Sequence, residues 1–302
     1  MIKESGYGVL REVSRSFGLS LRLLPKEMRE AASLGYLLAR SSDTIADVAS
    51  APLELRVQTL ENFRAAVTND APFSRMPHVL LNSVTGYWER NLLERGEEWL
   101  AWLRRMPRAE AVLIKEVADT IFSGQLLDLE RFSHADARLP VALANAAELE
   151  DYAWRVAGCV GAFWTKLGFQ ALGAGFSEAD PAVLEQQGIA YGKGLQLVNI
   201  LRDLPADLAA GRCYLPVADP LDRDELLASH AEWWKKARDY VEQGEDYADS
   251  LRVRRLRAAS RLPALLAAST LRKMRDISWP KLEARVKVPR HQVYLMMLRS
   301  LR

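Results

Sequence analysis

Four aspartates stand in two pairs, each with the spacing of one helical turn. In the first run, Tyr36, Arg40, Asp43 and Asp47 follow one another at intervals of four, three and four residues. On a helix they share one face. Leu34, Leu37, Leu38, Ile45 and Val48 surround them. In the second run, Gln196, Asn199, Asp203 and Asp207 are spaced three, four and four apart, among Leu195, Leu197, Val198, Ile200, Leu201 and Leu204. Two carboxylates at i and i+4 repel each other by roughly 0.2–0.5 kcal/mol even in water, and apolar neighbours raise that cost. A cation removes the conflict. Oxygen ligands with no His or Cys nearby suit Mg²⁺, which takes one or two carboxylates and fills its shell with water and phosphate oxygens. Arg40 and Arg202, each close to one pair, can bind phosphate or the carboxylates themselves. A single such pair reads as a solvated face. Two copies, each in an apolar helix beside an arginine, point to a metal–diphosphate site.

Positioning these residues requires helices, and nearly all of the 302 residues have the pattern for them. Apolar residues recur at three and four, while alternating strand-like runs are scarce. The spacing predicts helices over 26–48, 53–68, 75–94, 108–132, 147–173, 181–209, 222–249, 251–275 and 290–301. Breaks fall at Pro25, Pro52, Pro72, Pro107, Pro140, between Gly175 and Pro181, across 211–220 and at Pro280. They are evenly spread, with no Gly/Ser-rich linker between them. A single all-α domain over 1–302 is the expectation. The helix over 147–173 carries Ala157, Gly158, Gly161 and Ala162 on adjoining faces. Glycine inside a helix costs about 1 kcal/mol relative to alanine, so the small residues need a reason. Close packing against another helix supplies one; a channel for a long apolar chain, with Tyr152 at its rim, supplies another.

A composition of 49% hydrophobic and 26% charged residues excludes disorder and coiled-coil rods. Two cysteines, Cys159 and Cys213, make at most one bridge, which fits a reduced, cytoplasmic protein. The first residues lack the apolar stretch of a secretory leader, and no run reaches the roughly 20 apolar residues of a membrane span. The net charge of +2 is unevenly spread. After residue 250 there are 14 Lys/Arg against 2 Asp/Glu; the first 250 residues hold 27 against 37. A basic final third suits nucleic acid, an anionic membrane face or a phosphorylated ligand. The terminal stretch sets Val293, Leu295, Met296, Met297 and Leu298 beside Arg299 and Arg302, to dock the last helix onto the core or to rest peripherally on a membrane. His78, His134, His230 and His291 make no metal-ligand spacing. Residues 188–194 imitate a phosphate loop without its glycine spacing or its Ser/Thr. No nucleic-acid partner is expected.

The order of several segments is more specific than any one of them. Ser14, Arg15, Ser16 and Phe17 come first, then Leu24 and Pro25, then Glu27, Met28 and Arg29. Tyr36 to Arg40, Asp43, Thr44 and Asp47 follow, then Tyr152 four residues before Val156. The series closes with Gln196, Asn199, Arg202, Asp203, Asp207, and Gly211, Arg212, Tyr214, Leu215 and Pro216. This series resembles the squalene/phytoene synthase family of head-to-head prenyl synthases. The resemblance implies one all-α isoprenoid (terpenoid) synthase domain, with helices around a central apolar cavity and the two aspartate motifs facing across it. It also implies two farnesyl diphosphates as substrates. Asp43, Asp47, Asp203 and Asp207 would then hold Mg²⁺. Arg15, Ser16, Phe17, Tyr36, Arg40, Ala157, Val160, Gly161, Gln196, Asn199, Arg202 and Tyr214 would contact substrate. Tyr152 would assist the proton loss that closes a cyclopropyl intermediate.

Within that family, the opening Ser-Arg-Ser-Phe and the form Asp-Thr-x-x-Asp look more like squalene synthases. Residues 261–271 are similar to a segment tied to the reductive half-reaction, and Arg285 and Lys287 look like the pair that contacts NADPH phosphate. Squalene, made through presqualene diphosphate and reduction by NADPH, is the implied product. Dehydrosqualene, phytoene or hydroxysqualene formation at the same site without hydride transfer is the alternative, and a catalytically inert binding subunit is another. Ala46 departs from the pattern, which often has an acid there.

Overall fold

A computed structural model describes residues 2–14, 17–73 and 75–300, most of them helical. The chain divides into two compact units, Met1–Glu130 and Arg131–Arg302. The division falls at the end of a long helix, not at a linker.

The first unit contains α1 (Ile2–Val13), α2 (Phe17–Leu23), α3 (Lys26–Asp47), α4 (Leu53–Asn69), α5 (His78–Ser83), α6 (Tyr87–Glu94), α7 (Gly96–Leu103) and α8 (Arg108–Arg131). Helix α3 starts after Pro25, with Glu27 in the first turn, where the helix dipole favours an acid. Met28, Ala31, Leu34, Leu37, Leu38 and Ile45 supply its buried side. Three buried hydroxyls follow Arg40, and each finds an acceptor within the helix: Ser41 donates to Leu37, Ser42 to Ala39 and Thr44 to Arg40. These three hydroxyls therefore need no partner outside the helix. Arg56 of α4 donates to the Ala46 carbonyl at 2.8 Å, covering the end of α3 with a cation. The single helix expected over 75–94 is two. Val84 and Thr85 are β-branched and Gly86 is extended, with φ −76° and ψ 125°, so the chain breaks there. Helix α7, absent from the expected set, is held by Trp99 and Trp102, both buried; Trp102 donates to Glu30 of α3 at 2.8 Å.

The second unit contains β1 (Val141–Ala142), α9 (Ala146–Ala153), a π-helical turn (Trp154–Gly158), α10 (Cys159–Leu172), α11 (Pro181–Ala209), β2 (Arg212–Cys213), α12 (Arg223–Asp249), α13 (Arg254–Met274), α14 (Trp279–Glu283) and α15 (Arg290–Ser300). Asp180 caps α11 by accepting from the Ala182 and Val183 amides, ahead of Pro181 in the first turn. Strands β1 and β2 pair in parallel, Val141 with Arg212 and Ala142 with Cys213. The turn into β2 passes through Gly211 at φ +82°, where a Cβ would come within 2.6 Å of the Asp136 nitrogen. Only glycine fits. Both cysteines are buried free thiols, and no described helix is long and apolar enough to cross a membrane.

The small residues of α10 serve helix contact. A Cβ on Gly161 would overlap the Gly188 carbonyl of α11, and one on Gly192 would overlap the Ala157 carbonyl. The two helices thus meet backbone to backbone. The channel reading of Gly161 gives way to close packing, because α11 fills the space that the missing side chain leaves. The π turn carries the chain into this contact, with the Cys159 amide donating to Trp154, five residues back.

Helix α11 continues through Pro205. Proline has no N–H, so the Leu201 carbonyl lacks its partner in the helix. Buried His230 of α12 hydrogen-bonds to the Leu201 backbone instead. Burial lowers the His230 pKa from its ordinary value to about 4, against the pull of that bond. As pH falls, the unfolded chain takes up this proton first. The contribution is therefore complete above pH 6.5 and is lost progressively down to pH 4, amounting to about 3 kcal/mol. Urea unfolding between pH 7 and 4 should show that decline, and His230→Gln should flatten it. Parallel curves for parent and variant would refute the assignment.

Candidate active site

In the first unit, one face of α3 presents Tyr36, Arg40, Asp43 and Asp47. Tyr36 donates to the Val13 carbonyl at 3.2 Å, tying α3 to the end of α1. Arg40 forms an ion pair with Asp43, and its other amino group lies 3.6 Å from Glu89 of α6. Burial works hardest against the Arg40 charge, but Asp43, Tyr36 and Glu89 outweigh it and its pKa stands raised. Gln125 of α8 donates to the second oxygen of Asp43 at 3.5 Å. Asp43 is 37% exposed and Asp47 is exposed at the helix end. Ala46 is only 6% exposed. An acid at that position would be desolvated, so its absence takes nothing from the Asp43–Asp47 face.

In the second unit, α11 carries the other pair. Arg202 grips Asp203 through two hydrogen bonds, one of them from Nε at 2.9 Å. That bidentate bond, opposed by burial and helped by Asp207, raises the Arg202 pKa. Asp207 is 19% exposed and lies 3.6 Å from Arg212 on β2. The Gly211 turn and the β1–β2 pairing set that arginine in place. Gln196 is half-buried and Asn199 exposed. Tyr152 and Tyr214 stack with ring centroids 4.7 Å apart and planes at 19°, and Phe132 meets Tyr214 edge-on at 5.3 Å. Both tyrosines are buried in a cluster with Leu197, Leu201 and Leu204.

Each aspartate pair offers two carboxylates, and among the described residues no group of three or more His, Cys, Asp or Glu side chains could hold a metal. That donor set suits Mg²⁺ completed by substrate phosphate and water. It does not suit a metal caged by protein alone. Arg15, Ser16 and the side chain of Phe17 lie outside the described residues. Ala157 and Val160 are half-buried, whereas Arg285 and Lys287 are exposed, with Arg285 at φ +61°. Glu89 and Gln125 escape a sequence reading because they reach Arg40 and Asp43 from other helices. Arg212 had a signal in its glycine neighbour, which marks a tight turn just after the Asp207 helix.

The squalene/phytoene synthase family model matches residues 10–292. Presqualene diphosphate synthase of Zymomonas mobilis is 30% identical over 288 residues, covering 91% of this chain and 84% of that protein. Squalene synthase ERG9 of Gibberella zeae is 25% identical over 229 residues, covering 75% of this chain and 44% of that longer protein. Among solved structures, a ligand complex of TcSQS superposes with a TM-score of 0.81 at 24% identity, covering all of this chain and 86% of that one. This last likeness concerns the fold.

Proposed function

The chain belongs to the squalene/phytoene synthase family of head-to-head prenyltransferases, which act on prenyl diphosphates, and from that premise we propose that it joins two farnesyl diphosphates into presqualene diphosphate. The duplicated, arginine-engaged aspartate pair is the observation that carries this reading. The name of the Zymomonas relative, which aligns with 91% of the chain, supports it.

In this proposal Asp43, Asp47, Asp203 and Asp207 bind Mg²⁺, which supplies positive charge to a departing diphosphate. Arg40 and Arg202, now held by Asp43 and Asp203, are poised to donate charge-assisted hydrogen bonds to phosphate oxygens. Loss of diphosphate leaves an allylic cation at the first carbon of one substrate. That carbon is attacked by the double bond nearest the diphosphate of the second substrate. Loss of a proton then closes the cyclopropane ring. Apolar side chains must exclude water while the cation lives. The Tyr152 and Tyr214 rings stand in such surroundings, and the Tyr152 hydroxyl is the proposed relay for the departing proton.

A second reading carries the reaction on to squalene, with NADPH phosphate held by Arg285 and Lys287. Its support is that both cations are exposed on one short loop and have no acidic partner among the described residues. Incubation with farnesyl diphosphate and Mg²⁺, with and without NADPH, separates the two. Presqualene diphosphate in equal yield under both conditions supports condensation alone. Squalene only when NADPH is present, reduced by Arg285→Ala with Lys287→Ala, supports the longer course. No conversion of farnesyl diphosphate under either condition sinks both.

A further inference from the structure

Helix α15 docks by one face only. Met296 and Ser300 are buried, while Tyr294, Leu295 and Leu298 are 64%, 55% and 63% exposed. Of the two roles open to this segment, docking uses Met296 and leaves three large apolar side chains outside. Beside that ridge, α13 and α15 form an open cleft of about 360 Å³ lined by Ser269, Arg272, Lys273, Gln292, Leu295 and Arg299, with Met296 at its base. No carboxylate lines it. Arg272, Lys273 and Arg299 have no acidic partner among the described residues. Other cations of the same basic third do: Arg252 pairs with Glu178, Arg261 with Asp249 and Arg275 with Asp276.

We propose that α15 and this cleft form a docking site for an anionic membrane. A lipid headgroup phosphate sits among Arg272, Lys273 and Arg299. Tyr294, Leu295 and Leu298 enter the boundary between headgroups and acyl chains. Charge decides the occupant. A second copy of this face would bring six like charges together across a two-fold contact, which opposes self-association. An anionic bilayer answers both the cations and the apolar ridge.

The test is flotation of the full chain with vesicles of phosphatidylglycerol and phosphatidylcholine, against vesicles of phosphatidylcholine alone. The chain should bind only the anionic vesicles at about 50 mM salt and release at about 500 mM. Arg272→Glu with Lys273→Glu should weaken partition on the order of a hundredfold. Leu295→Ser with Leu298→Ser should weaken it about tenfold or more, although every charge remains. Both variants should keep the parent's circular dichroism and its turnover of dispersed substrate. Equal binding to neutral vesicles, no binding to either kind, or binding unmoved by the charge reversal would overturn the proposal. So would tight binding of soluble glycerol phosphate in place of vesicles, or a dimer of the parent that Leu295→Ser with Leu298→Ser dissociates.

Discussion

Asp43→Asn and Asp203→Asn are each expected to lower turnover at least a hundredfold, or about 3 kcal/mol of transition-state stabilisation. Asparagine keeps the size of the side chain and one carbonyl oxygen but removes the charge that a divalent cation requires. It also releases an arginine, because Arg40 and Arg202 hold these two carboxylates. Stability should change little. The carboxylates are 37% and 44% exposed, and ion pairs open to water contribute about 0–1 kcal/mol. Circular dichroism and melting temperature therefore separate a catalytic loss from an unfolded chain. Either variant working within threefold of the parent, or a parent indifferent to EDTA, would refute the aspartate assignment.

Gly161→Val should destabilise by about 2–4 kcal/mol and lower the melting temperature by roughly 5–10 °C. Valine would have to displace the Gly188 carbonyl, which is backbone in the middle of a long helix and cannot rotate aside as a side chain can. The helices must separate, or the π turn must reorganise. Gly8→Ala in α1 is the contrasting case. Nothing lies within 4 Å of its Cβ position, so the ordinary preference of a helix for alanine should appear as a gain of about 0.5–1 kcal/mol. Equal effects at the two positions would mean that contact with α11 is not what requires glycine at 161.

Helix periodicity made most of the architecture legible. Long segments such as α3, α11 and α12 repeat their apolar residues often enough to be found, and Pro25 and Asp180 with Pro181 mark starts through their own backbone chemistry. The misses are local. Helix α7 is only eight residues long and has too few turns to establish a period. The parallel pairing of Val141–Ala142 with Arg212–Cys213 joins segments about seventy residues apart, and neither is long enough to alternate. At the site, the residues that share a helix face were readable from spacing: Tyr36, Arg40, Asp43 and Asp47 on one helix, Gln196, Asn199, Asp203 and Asp207 on the other. Contacts supplied by a second element were not. Glu89, Gln125 and His230 reach their partners across the packing of helices, and no interval along the chain encodes that.

The π turn at Trp154–Gly158 shifts the phase of everything after it. One additional residue in a turn displaces the following side chains by roughly 100° relative to an uninterrupted α-helix. A wheel drawn straight through 147–172 thus assigns the wrong azimuth to one end. Tyr152, before the turn, must point at Tyr214, and Gly161, after it, must point at Gly188. An unbroken α-helix through this stretch would hold one of those orientations and swing the other away. The wide turn is the seam that lets one rod serve two neighbours of incompatible phase, so a deletion of Val156 should unseat one partner even though it leaves a more regular helix.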